Sequence, residues 1–488
     1  MKFKKAAFIT VCIALCLVPL FFNAYRLDLP IGYGGMFASF GEQLADENFH
    51  LPVTAMGAIP YVYPPLGFYA HAIFLKLGIS TWFYLRWLVP FYSLAALIAL
   101  LSLYEHLFRS KVWAALAALL VASAPYLVES HVWAAGMVRG LAFVCFLFAF
   151  TFFVRICPDS DWKLPALSGV LGGLTILSHL GYAYFLALWM GIWLLFHVKI
   201  WKQALVVVGT VALTVLPWLA AVLSHHPMDV FFNALRSHNT LEIFSALGSA
   251  QGMTSLLWVG LSKLFEIPLL GWLALAGAAM QIYRRRFELP TLFAVTSVFS
   301  LQSRRFVVVL GIILAVSLLQ EIYDYFSTRR FLQTATLAAT GLWVAAIFFS
   351  GVVYIAAMKP SLTWHLLSAA QYLRENSPAE SDYIILADYG EAEWFPYLSK
   401  RAPIFAHWAY EWQGNIEQQS GFLLDSFACG QSADLACVER IIRDSGKDPD
   451  YMVVMKRKYS LFLEKIEESG EWRRVYNNPQ YQVWEKRK

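Results

Sequence analysis

The chain is short of charge. Asp, Glu, Lys and Arg make up 15% of its 488 residues, while 59% are hydrophobic. A soluble domain carries about 25% charged residues, so the deficit excludes an ordinary soluble enzyme and predicts a polytopic membrane protein. Long basic runs are missing, which excludes nucleic acid as a partner. The net charge is only +5, and its distribution is more informative than its size. No C-x-x-C pair or Cys/His cluster suggests zinc. Four of the six cysteines, Cys12, Cys16, Cys145 and Cys157, stand in or beside apolar stretches.

What is present is a series of apolar segments. A membrane helix needs about 20 mostly apolar residues. Segments 6–23, 83–107, 112–128, 134–154, 163–178, 180–197, 203–223, 265–283, 289–303, 306–323 and 331–357 predict about eleven spans. The shortest, 163–178, 289–303 and 306–323, could pair as re-entrant segments. The start, MKFKK followed by AAFITVCIALCLVPLFF, has the outline of a signal peptide. It lacks a clear cleavage site, so a retained first span is expected. Lysine and arginine collect on the cytoplasmic side. With the N-terminus inside, the short inner turns hold MKFKK, Arg109 with Lys111, Arg155 with Lys163, Lys199 with Lys202, Arg284 to Arg286, and Arg329 with Arg330. The longer outer loops hold fewer. This predicts N-in and C-out.

Residues 1–357 therefore read as a transmembrane domain with two long outer loops, 23–82 and 224–263. Loops of that length are usually functional or disordered. FASFGEQLADENF and MDVFFNALRSHNTLEIFSAL have amphipathic helical spacing and predict short helices on the outer membrane face. Residues 358–488 are richer in charge. DYIILAD and DYMVVMK read as short buried strands, and SLTWHLLSAAQYLREN and ADLACVERIIRDSG as helices. The expectation is a small extracytoplasmic soluble α/β domain. Cys429 and Cys437 lie in it, as a disulfide suited to an oxidising compartment or as two free buried thiols.

Candidate chemistry concentrates on the outer side. Asp28, Glu42, Asp46 and Glu47 form the densest acidic group, with His50 and His71 following. An acid there could accept a proton from an acceptor hydroxyl or amine, and two loop acids could recruit a divalent cation. The alternative is a solvated helix face, since Glu42 and Asp46 are four apart. Charges near span ends are function candidates. Arg139 in WAAGMVRGLAF and Arg304 with Arg305 in SLQSRRFVVVL all map to outer helix ends. Guanidinium groups bind phosphate oxygens bidentately; snorkelling to headgroups is the other reading. His179 in LTILSHLGYAYF occupies a predicted outer turn, as a substrate contact or a packed hydrogen-bonding residue.

IPYVYPPLGFYAH, 59–71, cannot form a continuous helix because of its three prolines. Its tyrosines suit an interface belt. The segment would return the loop to the membrane as a cavity floor, with Tyr63 and His71 as substrate contacts. In the C-terminal domain, EAEWFPYLSKR offers Glu391, Glu393, Trp394 and Arg401 as acceptor contacts, with Trp394 more simply a core residue.

The order of these motifs carries a resemblance. A long acidic first outer loop, YPPLGFY, RGLAF at an outer helix start, LSH, PWLAAVL and then SRRF resembles the GT-C superfamily of membrane glycosyltransferases. It is similar to the mannosyltransferase and aminoarabinose-transferase branch that uses polyprenyl-phosphate sugars. EAEWFPYLSKRAPIF and HWAYEWQG resemble the outer domain of bacterial members. The likeness covers most of the chain, though each motif is loose. It implies an active site on the outer face of a cell membrane, a loop acid as catalytic base, and basic side chains on the lipid phosphate. The partners implied are the bilayer, a polyprenyl-phosphate-linked sugar and a glycan, lipid or protein acceptor. The family often carries Asp, or an acidic pair, soon after the first span. Here that region reads LDLPIGYGGMFASFGEQ, so Asp28 serves, Glu42 replaces it, or the base lies elsewhere. The other readings are a catalytically inactive relative acting in binding or assembly, and a lipid-linked-sugar transporter. A transporter would be marked by internal repeats and mid-membrane charges.

Overall fold

A computed structural model of the chain describes residues 2–55, 59–108, 110–237, 249–299, 304–406 and 410–487. Arg109, part of the outer loop 224–263, the end of segment 289–303 and the start of HWAYEWQG lie outside the described residues. The chain divides into two compact units. The first comprises Met1–Asp28, Leu85–Leu219 and Leu241–Met358; the second comprises Leu29–Tyr84, Ala220–Thr240 and Lys359–Lys488.

The first unit is helical, and helices occupy most of the described part of each apolar segment, with 112–128 and 265–283 interrupted. Among the described residues, six helices are long and apolar enough to cross a membrane: Ala6–Arg26, Thr81–Phe108, Gly136–Phe153, Val198–Leu223, Arg305–Tyr325 and Arg330–Ala357. Lys111–Ser123 and Pro125–His131 together make a seventh, bent by 69°. Lys163–Ser178, Leu180–Phe196, Leu270–Tyr283 and Glu288–Val298 are shorter apolar helices. At 1.5 Å per residue, a helix of this kind falls short of a ~30 Å hydrocarbon core.

The bend has a local cause. Pro125 pushes the preceding residue out of the helical region, and Ala124 is extended at φ −71°, ψ 118°. Pro125 then opens a short helix at the position where its missing N–H is harmless. Arg305–Tyr325 runs through the middle of this unit, and Phe306 to Ser317 are buried without a break. A helix apolar on all sides belongs inside. Small residues let helices approach closely. A Cβ on Gly277 would stand 2.2 Å from the Leu314 carbonyl oxygen, and one on Gly351 would stand 2.1 Å from that of Ser123.

The second unit is built on a five-stranded sheet. Its order is Ala402–Pro403, Asp382–Leu386, Tyr451–Met455, Tyr481–Lys486, Trp472–Asn477. The first three strands are parallel, Tyr481–Lys486 runs antiparallel to Tyr451–Met455, and Trp472–Asn477 at the edge runs antiparallel to Tyr481–Lys486. DYIILAD and DYMVVMK are thus neighbouring parallel strands in the core, as their apolar runs predict. Thr363 caps Trp364–Asn376 through Leu366 N–H at 3.1 Å, and Asp434 caps Leu435–Asp444 through Cys437 N–H at 2.9 Å. Cys429 and Cys437 are disulfide-bonded, with their Cα atoms 5.7 Å apart.

The first long loop packs within this second unit. Gly35–Asp46 and Leu66–Lys76 are helices, joined through a two-stranded ribbon, Thr54–Ala55 with Ile59–Pro60. Here one expectation is corrected. Tyr61 belongs to no interface belt: it is 1% exposed, donates to the Phe40 carbonyl at 2.9 Å and packs on Phe40 and Phe68. The prolines end a loop and start a helix, so Tyr61 and Tyr63 are drawn into an aromatic core. The second long loop, expected over 224–263, holds two described helices: Asp229–Ser237, whose Phe231 packs on Trp412 at 6.1 Å, and Ala250–Phe265, which takes up its last part.

Candidate functional site

In the first unit, basic and aromatic side chains from distant stretches meet. Arg305 opens the central helix, with Arg304 at its N-cap. The Arg305 guanidinium lies over the Tyr182 ring, 5.0 Å from its centroid, and hydrogen-bonds to that side chain. Tyr182 Oη is 2.6 Å from His131 Nε2. His131 Nδ1 is 2.7 Å from the Leu127 carbonyl. A carbonyl only accepts, so Nδ1 carries the proton; in the neutral ring Nε2 accepts from Tyr182. The chain Arg305, Tyr182, His131, Leu127 is therefore satisfied end to end.

Arg139 joins this group. Both Arg139 and Arg305 act electrostatically on His131 and Tyr182. Local sequence explains the approach. A Cβ on Gly136 would stand 2.1 Å from the His131 carbonyl oxygen, and one on Gly140 would stand 2.9 Å from it. The glycines of GMVRG thus let helix Gly136–Phe153 press against the end of Pro125–His131. Arg139 Nε is buried without a hydrogen-bond partner. His179 completes the group. It caps Leu180–Phe196 by accepting from Gly181 N–H at 3.1 Å, and its ring meets Tyr182 edge-on at 5.2 Å.

Two guanidinium groups, one of them held over the Tyr182 ring of a hydrogen-bonded Tyr–His pair, can hold a phosphate. Such a pair is planar, permanently charged and suited to several oxygens at once. Of the residues singled out from sequence, Arg139, Arg305 and His179 converge here, with Arg304 adjacent in the chain. His131 and Tyr182 were missed. Their signal was weak: a histidine and a tyrosine inside apolar segments, where a polar group needs a partner. Glu129, on the same short helix as His131, was missed too; it accepts from Tyr354 Oη at 3.1 Å.

The acids take other partners. Asp28 pairs with Arg86 at 2.9 Å and its side chain is 73% exposed. Glu42 lies in the second unit, where it pairs with Lys400. Tyr63 packs among Phe37, Phe68 and Trp412 in that unit. His71 is a correction to its reading as a substrate contact. It is 0% exposed, bonded to Thr81 Oγ1 at 3.0 Å and stacked on Tyr84 at 4.9 Å. Burial, then the charge of Lys400, pushes its pKa down to about 4. Its role is therefore to pack and to hold Thr81.

The EAEWFPYLSKR motif is likewise structural. Asp388 and Glu391 form a capping box, and Trp394 is core, donating to the Gly32 carbonyl at 2.9 Å. Arg401 binds the Ser377 hydroxyl at 2.8 Å. Glu393 is buried, which raises its pKa, although three backbone N–H groups oppose the rise. Among the described residues, no group of three or more His, Cys, Asp or Glu side chains is placed to hold a metal ion.

No family model matches the chain, and no curated protein matches it in sequence. Solved structures do. The chain is similar to the crystal structure of ArnT from Cupriavidus metallidurans bound to undecaprenyl phosphate, with a TM-score of 0.59 at 14% identity over 98% of both chains. It is similar to the apo form of the same protein, with a TM-score of 0.57, again at 14% identity and 98% of each. The chain thus has the fold of ArnT over nearly its whole length.

Proposed function

We propose that this chain is a glycosyltransferase that moves a sugar from a polyprenyl-phosphate carrier to an acceptor on the outer face of the cell membrane. The observation that carries the proposal is the meeting of Arg139 and Arg305 around the Tyr182–His131 pair. The full-length likeness to a protein crystallised with undecaprenyl phosphate supports it.

In this reading the arginines hold the carrier phosphate. As the sugar's anomeric carbon leaves the phosphate oxygen, negative charge grows on that phosphate. Fixed guanidinium groups stabilise it without reorganising. Arg304 and His179 border this group and serve as further contacts. The acceptor's proton passes to a loop acid, Asp28 or Glu42. A divalent cation drawn to these acids belongs to the same proposal. So does the placement of residues 358–488 outside the cytosol, where the Cys429–Cys437 disulfide is stable.

The test is sugar transfer from polyprenyl-phosphate sugars by the purified protein in bilayers, with and without a divalent cation. Asp28→Asn and Glu42→Gln are assayed beside the wild type. Loss of transfer in one variant, with donor binding kept, identifies the base. Donor binding with no transfer by the wild type from any donor would leave a binding protein and sink the enzyme reading.

A further inference from the structure

The second unit contains a hollow of about 600 Å³ that the phosphate group does not involve. Small-ligand pockets span about 300–1,000 Å³. Four separate stretches line it. Glu42 comes from helix Gly35–Asp46, and Trp82 stands just after the Ser80 cap. Gln371 and Arg374, three apart on one face of Trp364–Asn376, form another wall. Tyr397 ends the Tyr389–Ser399 helix, and Lys400 closes it in the left-handed region at φ 55°.

The charges in this hollow are unequally engaged. Lys400 pairs with Glu42 and stands 4.2 Å from the centre of the Tyr397 ring. Glu375, also in the wall, accepts from Gln371 Nε2 at 2.8 Å. Arg374 differs. Its backbone carbonyl accepts from Arg401, but its exposed guanidinium makes no hydrogen bond or ion pair among the described residues. Among the described residues, the walls thus present a planar cation, Arg374, with no hydrogen bond or ion pair.

The aromatic groups are held rigidly. Trp82 and Tyr397 meet at 90° with centroids 6.0 Å apart. Tyr397 Oη donates to Thr81 Oγ1 at 2.9 Å, and Thr81 is bonded to the buried His71. This chain locks the Tyr397 ring, so ordering it costs little when a ligand arrives. Two fixed rings at right angles offer flat apolar surface. Gln371 and the Glu42–Lys400 pair offer donors and acceptors around it, and Arg374 adds a two-pronged donor. Sugar rings match this set, with an apolar C–H face and hydroxyl edges. The guanidinium selects one that also carries paired oxygens.

We propose that this hollow binds an anionic saccharide, a sugar ring bearing a carboxylate or a phosphate. The proposal does not depend on sugar transfer, and binding is read with no carrier lipid present.

The full-length protein in detergent is titrated calorimetrically with glucuronate, glucose 1-phosphate, glucose and inorganic phosphate. The anionic sugars are expected to bind at least about 10-fold more tightly than glucose or phosphate, a difference well resolved by this method. A gain for one anionic sugar alone also supports the proposal and names the charged group. Arg374→Gln is expected to abolish the preference while leaving the melting temperature unchanged, because its guanidinium makes no hydrogen bond or ion pair among the described residues. Gln371→Ala is expected to weaken anionic and neutral sugars alike. The proposal is overturned if no sugar binds at millimolar concentration, if phosphate alone binds as tightly as the sugar phosphate, or if Arg374→Gln keeps the preference.

Discussion

Glu393 and Gly35 are in direct contact within the second unit. The Glu393 carboxylate accepts the Gly35 N–H at 3.0 Å, and a Cβ on Gly35 would stand 2.7 Å from the Glu393 carbonyl oxygen. The same carboxylate accepts from Gly34 and Met36 at 2.9 and 3.0 Å. An acid of the C-terminal domain therefore caps the first helix of the first long loop. Helix starts leave several N–H groups without partners, and here one buried carboxylate takes three of them. The glycines of GYGGMF stand where the resemblance leads one to expect an acid, and at Gly35 the missing Cβ permits this close approach.

The contact makes Gly35→Ala destabilising. Its Cβ would meet backbone atoms, Trp394 Cα at 2.6 Å among them, and these cannot yield as a side-chain tip would. Overpacking of this kind costs about 1–3 kcal/mol. Glu393→Gln turns an amide N–H₂ toward backbone donors and is expected to cost about 1–3 kcal/mol. Melting of the detergent-solubilised protein measures both. A Gly35→Ala variant as stable as the wild type would remove the clash.

His71 predicts acid sensitivity. Its pKa falls from 6.5 to about 4 on folding. Between these values the unfolded chain binds the proton and the folded one does not, so stability rises with pH across that window and is lost as pH falls through it. The shift corresponds to at most about 3 kcal/mol. His71→Gln should show a shallower decline in melting temperature from pH 6.5 to 4 than the wild type. Parallel pH profiles for the two proteins would refute the assignment.

The arginine group predicts a split between charge and geometry. Arg139→Gln and Arg305→Gln should each lower transfer by about 10²–10³-fold, the usual effect of removing a preorganised donor. Arg305→Lys should recover little, since an ammonium lacks the planar fork that lies over Tyr182. Tyr182→Phe unpairs both Arg305 and His131 and should cost about 1–3 kcal/mol of stability or binding. Donor titration against transfer rate separates binding from the chemical step.

In the first unit, Gly351→Val should lower the yield of folded protein. The side chain would enter the space taken by the Ser123 carbonyl, where helix Arg330–Ala357 meets Lys111–Ser123. Close helix approach in a membrane depends on small residues. Gel filtration of the detergent extract, compared with Gly341→Val, reads the effect. Gly341 has open space at its Cβ position and should tolerate the change.

The disulfide closes a short segment, with Cys429 and Cys437 eight positions apart. Loop-closure entropy alone assigns it about 2.5 kcal/mol. Cys429→Ser with Cys437→Ser should lower the melting temperature to match. Alkylation of the wild type at these positions should require prior reduction.

Legibility differed between the two units for physical reasons. Apolar segments and buried strands announce themselves locally, because hydrophobic length and alternation are properties of neighbouring residues. DYIILAD, DYMVVMK and the apolar helices were therefore readable. Arg139, Arg305 and His179 were readable as misplaced polarity, since a charge beside hydrocarbon needs a reason. His131 and Tyr182 were not, because their significance lies in each other and they stand far apart in sequence. Tyr61 and His71 misled for a related reason: an aromatic residue beside prolines looks the same in sequence whether it faces lipid or fills a core.

From its sequence alone, this protein is a charge-poor helical membrane chain with a mixed α/β C-terminal domain and basic residues at helix ends. These follow from composition and short-range pattern. Tertiary structure alone decided that Arg305 lies over Tyr182 of the Tyr182–His131 pair, that Glu393 closes the helix at Gly35, and that Arg374 lines a hollow with no side-chain hydrogen bond or ion pair among the described residues. Each of these relations joins residues separated by long stretches of chain. Which side chains meet across such distances is set by how the helices and sheet pack, and no local pattern encodes it.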